Sequence, residues 1–180
     1  CRCTMRICLN MVVKNEAHVI ERCLRSVRPL IHSWAIADTG SSDGTQDLIR
    51  KTLGDLPGEL IERPWVDFGH NRNEALQLAR KHGEYALLID ADDVVERDHG
   101  LVLGVLDAPA YSVEFVHDAT RFFRTLLVRL DAGWYWRGVL HEGLHPPHGW
   151  HARQLGGLRV RERREGARSL RPAAEKYSAD

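Results

Sequence analysis

Short apolar runs alternate with amphipathic segments through the first half of this chain. Residues 5–13, 34–38 and 85–89 are mostly apolar, and a weaker run covers 59–62. Runs of this length that are bounded by polar or turn-forming residues are typical of β-strands. The sequence therefore predicts four strands in this part of the chain.

Three segments between these strands place apolar residues on one face of a helix. The first covers 20–27 behind a candidate N-cap at Asn15, and the second covers 45–53. The third begins at Asn71, which forms a capping-box pattern with Glu74. Strands and helices that alternate in this way predict an α/β fold with a parallel sheet, whose ligands bind at the carboxyl ends of the strands.

The second half of the chain has a different pattern. Residues 111–117 and 121–130 alternate apolar and polar side chains loosely, and 134–136 begins another apolar segment. We interpret these segments as antiparallel strands added to the parallel sheet. The last segment, 151–180, is rich in basic residues, and we interpret it as a weakly structured tail that follows one domain at 5–150.

Composition narrows the classes of function. Lys and Arg together number 25, as do Asp and Glu, so the formal charge is zero. A protein that follows nucleic-acid phosphates needs a net basic face, so we expect no nucleic-acid partner. No apolar run approaches the roughly 20 residues of a membrane-spanning helix, so we expect no transmembrane segment and a cytoplasmic location.

The four cysteines all lie near the start of the chain, at Cys1, Cys3, Cys8 and Cys23. A disulfide framework would spread its cysteines along the chain, so we expect reduced thiols rather than disulfides or a metal site. The first strand pattern begins at Met5. This position indicates either a start codon assigned upstream of Met5 or a fragment of a longer chain.

The segment Asp90-Ala91-Asp92-Asp93 directly follows the predicted strand at 85–89. Three carboxylates in four residues repel one another, and a hard divalent cation such as Mn²⁺ or Mg²⁺ would relieve that repulsion. The structural alternative is an acidic cap at a helix N-terminus, for which one aspartate suffices. We therefore expect a metal site here.

Two further polar segments are candidate binding residues. Loop 38–45 reads D-T-G-S-S-D-G-T, and a turn with an N-cap explains most of it but leaves Asp38 without a structural task. A carboxylate that ends a buried strand would accept a hydrogen bond from a base N–H or a ribose hydroxyl. Arg72, near the start of the third predicted helix, would pair with a phosphate or lie on the surface.

Residues 141–145 match the H-E-x-x-H pattern of zinc peptidases. Both histidines of that pattern must lie on one helix, but Gly143 and the prolines after His145 disfavour a helix. A zinc peptidase is therefore a remote alternative. His141 alone would serve as a metal ligand beside Asp92, or it belongs to a cluster of surface histidines.

Five motifs of this chain occur in one order within residues 5–142. They are M-V-V-K-N-E at 11–16, D-T-G-S-S-D-G-T at 38–45, F-G-H-N-R at 68–72, L-L-I-D-A-D-D at 87–93 and W-R-G-V-L-H-E at 136–142. Together they resemble the family 2 glycosyltransferases, in particular a bacterial cytosolic branch whose catalytic domain often precedes tetratricopeptide repeats. The resemblance implies the Rossmann-like GT-A fold, with a mostly parallel central sheet. It also implies a nucleotide-diphosphate sugar donor, expected to be a UDP-sugar, and Mn²⁺ or Mg²⁺ as cofactor.

The resemblance implies a role for individual residues. Asp38 would contact the uracil edge, Arg72 would lie beside the nucleotide and its phosphates, and Asp90 would face the ribose and the metal. The expected donor contacts are Asn15, Glu16, Asp38, Arg72 and Asp90. The expected metal ligands are Asp90, Asp92 and His141. Enzymes of this family invert the anomeric centre, and Glu142 is the expected base that deprotonates the acceptor.

The acceptor stays open at this point: a glycan, a lipid-linked saccharide or a peptide. Proteins of this family are usually longer, so the tail at 151–180 would be the start of a truncated acceptor-binding or repeat region. The alternative to an enzyme is a truncated or partner-dependent nucleotide-sugar-binding module with little transfer activity. The intact Asp90 and Asp92 pair and His141 favour an enzyme over such a module.

Overall fold

The computed structural model describes residues 5–138, 143–146, 150–167 and 170. In this part of the chain there are three α-helices and ten β-strands. The helices are α1 (Ile20–Val27), α2 (Thr45–Leu53) and α3 (Phe68–Ala79). The strands are β1 (Ile7–Val13), β2 (Ser33–Asp38), β3 (Gly58–Glu62), β4 (Tyr85–Leu88), β5 (Val94–Arg97), β6 (Ala110–His117), β7 (Thr120–Arg129), β8 (Tyr135–Arg137), β9 (Gly143–His145) and β10 (Arg153–Arg161).

Eight of the strands form one sheet in the order β3-β2-β1-β4-β7-β6-β10-β5. The first four of these strands are parallel, because β1 pairs in parallel with β2 and β4, and β2 pairs in parallel with β3. Antiparallel pairs follow in the second half, between β4 and β7, β6 and β7, and β5 and β10. The predicted α/β fold, with antiparallel strands added by the C-terminal half, is confirmed.

Helices cover both faces of the parallel half of the sheet. Leu9 and Met11 of β1 pack into a core that includes residues of α1 and α2, whereas Cys8 lies in a second core with Leu76 and Ala79 of α3. Successive side chains of a strand point to opposite faces. Burial on both faces explains why β1 reads as an apolar run interrupted only by Asn10, rather than as an alternating pattern.

One polar side chain lies inside this packing. Asn10 is only 5% exposed, and its Nδ2 donates to the Ala75 carbonyl oxygen at 2.6 Å and to the Ala35 carbonyl oxygen at 3.2 Å. A buried amide is stable when such partners satisfy it. Asn10 therefore joins β1 to β2 and to α3 from inside the core.

Two predicted helix caps are wrong. Asn15 has a positive φ of 55° and lies before α1, and its Oδ1 accepts a hydrogen bond from the Ser42 N–H at 2.8 Å. The N-cap of α3 is Asp67, whose carboxylate accepts from the His70 N–H at 2.7 Å. Asn71 is instead buried within the first turns of α3. In both cases the asparagine binds the backbone of another segment, but its position in the sequence is the one expected for a helix N-cap.

The prediction of a weakly structured tail over 151–180 is wrong for Arg153–Arg161. This segment forms β10, which lies between β6 and β5 in the main sheet. Leu158 and Val160 are buried, whereas the arginines of the strand lie at the surface. The basic residues hide this alternation in the sequence, and the sheet continues past residue 150.

The predicted strand at 134–136 forms outside the main sheet. β8 pairs with β9 in a separate two-stranded sheet. Cys8 and Cys23 are buried free thiols, as expected, whereas Cys1 and Cys3 lie outside the described residues. Among the described residues the longest helix, α3, has 12 residues, and none is long and apolar enough to cross a membrane.

Gly58→Ala tests the packing at the edge of the parallel sheet. The added methyl group would overlap the indole ring of Trp34, whose Nε1 donates to the Leu53 and Leu56 carbonyl oxygens at 3.2 and 3.1 Å. Overpacking of this kind costs roughly 1–3 kcal/mol, and we expect the free energy of unfolding in urea to fall by that amount. At Gly104 a methyl group would meet no atom within 4 Å, so Gly104→Ala should stay within about 0.5 kcal/mol of wild type. Equal losses at the two glycines would contradict this packing.

Candidate functional site

Three loops meet at the carboxyl ends of β1, β2 and β4. The first two are joined by main-chain donors: the Asn15 N–H donates to Ser41 Oγ, and the Glu16 N–H donates to Thr45 Oγ1, both at 2.8 Å. The third loop holds the aspartate cluster that follows β4. The predicted residues of these loops therefore share one edge of the sheet, as the parallel topology requires.

Asp38 ends β2 and is completely buried. Its Oδ1 accepts hydrogen bonds from the Gly40 and Ser41 N–H groups at 2.9 and 2.8 Å, which shapes the turn that follows the strand. Its Oδ2 is buried and has no hydrogen-bond partner among the described residues. The expectation that Asp38 lacks a structural task is therefore wrong for one oxygen, while the other oxygen is left for a donor.

Asp90 lies between two arginines. Its Oδ1 accepts from Arg72 Nη2 at 2.8 Å, and its Oδ2 accepts from Arg124 Nη2 at 3.5 Å. Burial by itself would raise the pKa of the Asp90 carboxyl, but the two guanidinium groups outweigh it and lower the pKa to about 2. Asp90 is therefore ionised at neutral pH, with both oxygens engaged.

The two arginines line a cavity beside Asp90. Arg72 lies over the Trp136 ring at 4.8 Å from its centroid, and Arg124 lies over the Phe115 ring at 5.1 Å. The cavity has a volume of about 370 Å³ and is lined by Arg72, Asp90, Arg124, Thr125, Trp136 and Leu144. The described lining therefore offers guanidinium groups, which can bind an anionic ligand.

Sequence reasoning identified Arg72 but missed Arg124. Arg124 belongs to β7 and lies 34 residues from Asp90 along the chain, so no local motif marks it. Its position is set by the antiparallel pairing of β7 with β4, the strand that leads to Asp90. The only local signal is an arginine in a strand whose next residues become buried.

Asp93 changes the charge of the aspartate cluster. Its side chain is 2% exposed, and burial together with the charges of Asp90 and Asp92 raises its pKa to about 8. A carboxyl with this pKa is mostly protonated at neutral pH. Asp93 therefore adds little negative charge to the cluster at neutral pH, although the sequence prediction treated all three aspartates as charged.

Glu16 and Asp92 both contact the segment that follows β10. Asp92 Oδ2 accepts from the Gly166 N–H at 2.8 Å, and the two oxygens of Glu16 accept from the Ala167 N–H at 3.3 and 3.1 Å. The pKa of Glu16 is raised to about 7, mainly by burial. The hydrogen bond from the Ala167 N–H lowers this pKa, whereas the negative charge of Asp92 raises it further. Both carboxylates are thus held by consecutive N–H groups of the segment that follows β10.

Two predicted site residues, His141 and Glu142, lie outside the described residues. Within the described ranges there is no group of three His, Cys, Asp or Glu side chains that could hold a metal ion. His145 lies in β9, where it is paired with Tyr135 and stacks on its ring at 5.5 Å. A histidine in a strand cannot complete a helical H-E-x-x-H site, so the zinc-peptidase alternative is wrong.

A comparison with protein families shows which family this chain belongs to. Residues 8–117 match Glycosyl transferase family 2. The chain belongs to this family. The match covers β1 through β6 and so includes Asn15, Glu16, Asp38, Arg72 and the aspartate cluster.

Two curated proteins, one of them a glycosyltransferase by name, are similar to about half of this chain. A TPR repeat-containing protein of Synechococcus elongatus is 33% identical over 89 residues, which are 49% of this chain and 21% of that protein. The SPbeta prophage-derived glycosyltransferase SunS of Bacillus subtilis is 30% identical over 97 residues, which are 53% of this chain and 22% of SunS. This family member therefore aligns with about a fifth of the length of these relatives.

Solved structures show the same fold at low sequence identity. TarS of S. aureus, residues 1–349 in complex with UDP-GlcNAc, superposes with a TM-score of 0.58 at 14% identity, covering 88% of this chain and 59% of that one. The same part of TarS in complex with UDP gives a TM-score of 0.51 at 18% identity, covering 66% and 38%. The GT-A fold expected for glycosyl transferase family 2 is therefore confirmed.

Asp90→Ala tests whether this carboxylate holds the two arginines together. Its loss would bring the Arg72 and Arg124 guanidinium groups together without the Asp90 carboxylate between them, and we expect the free energy of unfolding at low salt to fall by about 1–2 kcal/mol. The double variant Asp90→Ala/Arg124→Ala should recover part of this loss in urea denaturation, because it removes the repulsion.

Asp131→Ala is the matched control for this experiment. It breaks an exposed ion pair, in which Asp131 accepts from Arg129 Nε at 2.6 Å, and should cost less than about 1 kcal/mol. A loss for Asp90→Ala as small as that for Asp131→Ala, or a larger loss in the double variant, would contradict the proposed arrangement.

Proposed function

We propose that this chain contains the donor-binding and catalytic region of an inverting glycosyltransferase that moves a sugar from a UDP-sugar to an acceptor. The observation that carries the proposal is the meeting of Glu16, Asp38, Asp92 and the Arg72–Asp90 pair at one edge of the parallel sheet. A nucleotide sugar matches this edge, because its nucleoside offers N–H and hydroxyl donors and its diphosphate carries negative charge. The complexes of TarS with UDP and UDP-GlcNAc support the choice of uracil nucleotide.

The nucleoside is proposed to bind at the loops after β1 and β2. A buried carboxylate oxygen without a donor is costly, and a base N–H would satisfy Asp38 Oδ2. Because Asp38 is fully buried, we expect the loop at 39–44 to shift when the base binds. Asn15 holds this loop through Ser41 and Ser42, and Glu16 stands beside it to accept from the nucleoside.

The diphosphate is proposed to bind beside Arg72. The Asp90 carboxylate and the Trp136 ring orient the Arg72 guanidinium at the cavity that Arg124 also lines. A guanidinium that is held in this way loses little conformational entropy when it binds a phosphate. Asp90 then acts mainly by orienting Arg72, in addition to its proposed contact with the ribose.

The residues fit a hard divalent cation in part. Asp92 offers carboxylate oxygen, which suits Mn²⁺ and Mg²⁺, whereas both oxygens of Asp90 already accept from arginines. We therefore propose Asp92 as the main ligand, and Asp90 and His141 stay predictions. When bound, the cation would supply positive charge to the departing diphosphate.

The transfer step needs a base on the acceptor side. In an inverting displacement the acceptor hydroxyl oxygen forms a bond to the anomeric carbon, the bond from that carbon to the diphosphate oxygen breaks, and the hydroxyl proton passes to a carboxylate. Glu142 is the proposed base. The acceptor itself stays open among a glycan, a lipid-linked saccharide and a peptide.

We expect UDP to bind this protein at least about tenfold more tightly in Mn²⁺ than in chelator, because the cation offsets the repulsion between the diphosphate and the aspartates. Asp92→Ala should remove this difference in isothermal titration calorimetry. Asp47→Ala removes a carboxylate that is 91% exposed on α2, and it should keep the difference. Equal wild-type affinities in Mn²⁺ and in chelator would refute the metal assignment.

Asp38→Asn should weaken the binding of UDP and of uridine by about 1.5–3 kcal/mol, the range for a hydrogen bond to a charged group. The amide oxygen of asparagine can still accept from the Gly40 and Ser41 N–H groups, so the free energy of unfolding should stay close to wild type. Calorimetry and urea denaturation check the two expectations separately. An unchanged affinity, or an unfolded variant, would assign Asp38 to the scaffold alone.

A further inference from the structure

The segment Glu165–Ala167 lies directly against the candidate donor site. Two consecutive main-chain donors meet two carboxylates there: Gly166 N–H donates to Asp92 Oδ2 at 2.8 Å, and Ala167 N–H donates to Glu16 at 3.1 Å. Glu16 follows β1 and Asp92 follows β4, whereas Glu165–Ala167 follows β10. The end of the described chain therefore joins two loops that are distant in sequence.

Glu165 anchors this segment to α1 and to the loop before α1, which carries Glu16. Its carboxylate accepts from Arg22 Nη2 of α1 at 2.6 Å, and its carbonyl oxygen accepts from His18 Nε2 at 2.7 Å. Arg22 also reaches the Asp92 carbonyl oxygen at 3.4 Å. One arginine thus contacts both the aspartate loop and the segment that lies on it.

Gly166 lies where there is little space for a side chain, because the Asp92 and Glu16 carboxylates would have to move by a few tenths of an ångström to make room for one. A Cβ atom at this position would lie 3.2 Å from Asp92 Oδ2 and 3.3 Å from Glu16 Oε1. These distances are tighter than ordinary van der Waals contact, so a larger residue would push the carboxylates. The close approach also shows that Glu16 and Asp92 converge on one point, where like charges repel.

We propose that Glu165–Ala167 is a positioning element of the donor site, which holds the Asp92 and Glu16 carboxylates in the orientation that receives the nucleotide. Its two N–H groups offset the repulsion between these carboxylates, and the Arg22–Glu165 ion pair keeps the segment in place. This inference rests on the proposed function. It assigns a binding role to a segment that lies within the predicted basic tail at 151–180.

Two variants test the element by different routes. Gly166→Ala keeps the N–H donor but adds the methyl group that displaces the carboxylates, and Glu165→Gln weakens the anchor to Arg22. Isothermal titration calorimetry with UDP, in Mn²⁺ and in chelator, should show about a tenfold loss of affinity for Gly166→Ala in Mn²⁺ and a smaller loss for Glu165→Gln. Urea denaturation should show both proteins folded, which separates positioning from a general loss of structure.

Glu96→Gln is the matched control. Glu96 accepts from Arg161 Nε at 2.7 Å in the pairing of β5 with β10, and its side chain is 37% exposed, against 40% for Glu165. The control therefore removes one charge from a similar ion pair that does not touch the donor site. We expect its UDP affinity to match that of wild type.

A double-variant cycle tests whether Arg22 and Glu165 act through their ion pair. If they do, Arg22→Gln/Glu165→Gln should lose no more UDP affinity than the weaker-binding of the two single variants. Losses that add would mean that Arg22 acts on the nucleotide separately, and the anchoring role of Glu165 would be overturned.

The remaining outcomes separate this proposal from the proposed function. If wild type binds UDP but Gly166→Ala and Glu165→Gln bind it equally well, the positioning element is refuted and the glycosyltransferase is not. Tighter UDP binding by the variants would also refute it, because the segment would then cover the site rather than arrange it. Failure of the wild type to bind UDP would refute the proposed function itself.

Discussion

Repulsion among carboxylates is the constraint that the rest of this site must satisfy. Parallel strands bring their carboxyl ends to one edge of the sheet, and in this chain those ends carry acidic residues. Each carboxylate has its own counterpart: N–H groups of a turn for Asp38, two guanidinium groups for Asp90, and the main chain after β10 for Asp92. Asp93 has no such counterpart, because burial and the charges of Asp90 and Asp92 keep it protonated at neutral pH. The turn after β2, Arg72 and Arg124, and the segment after β10 therefore share one task, which is to stabilise carboxylates that lie close together.

Hydrophobic patterns in short stretches of sequence were sufficient to predict the strands and helices of the parallel half of the sheet. The apolar runs of β1 and β4 and the helical spacing of α1 were sufficient for the α/β order, because burial on both faces leaves a clear signal. β10 could not be found in this way, because its arginines reach solvent while only Leu158 and Val160 are buried in its second half. Its place is set by pairing with β6 and β5, which no short window of sequence contains.

The same distinction applies to the site. Asp38, Arg72 and Asp90 could be chosen because each follows a strand or opens a helix within a recognisable motif. Arg124 and Gly166 could not, because their roles come from contacts to residues 34 and 74 positions away. The chemistry of Asp38 was only half predicted, since the sequence shows a carboxylate but not that one of its oxygens shapes a turn. The sequence thus identifies candidate site residues, and tertiary contacts determine which of their atoms already have hydrogen-bond partners.

The place of β10 in the sheet has a consequence for the order in which the protein assembles. β5 begins just after the aspartate cluster, yet it joins the sheet through β10, whose paired residues lie about 60 positions later. Contacts between distant residues form late, because the intervening chain must first be made and closed into a loop. During synthesis from the N-terminus, the parallel strands can therefore pack before the aspartate loop has its final support. This edge of the sheet is completed only when nearly all of the described chain has left the ribosome.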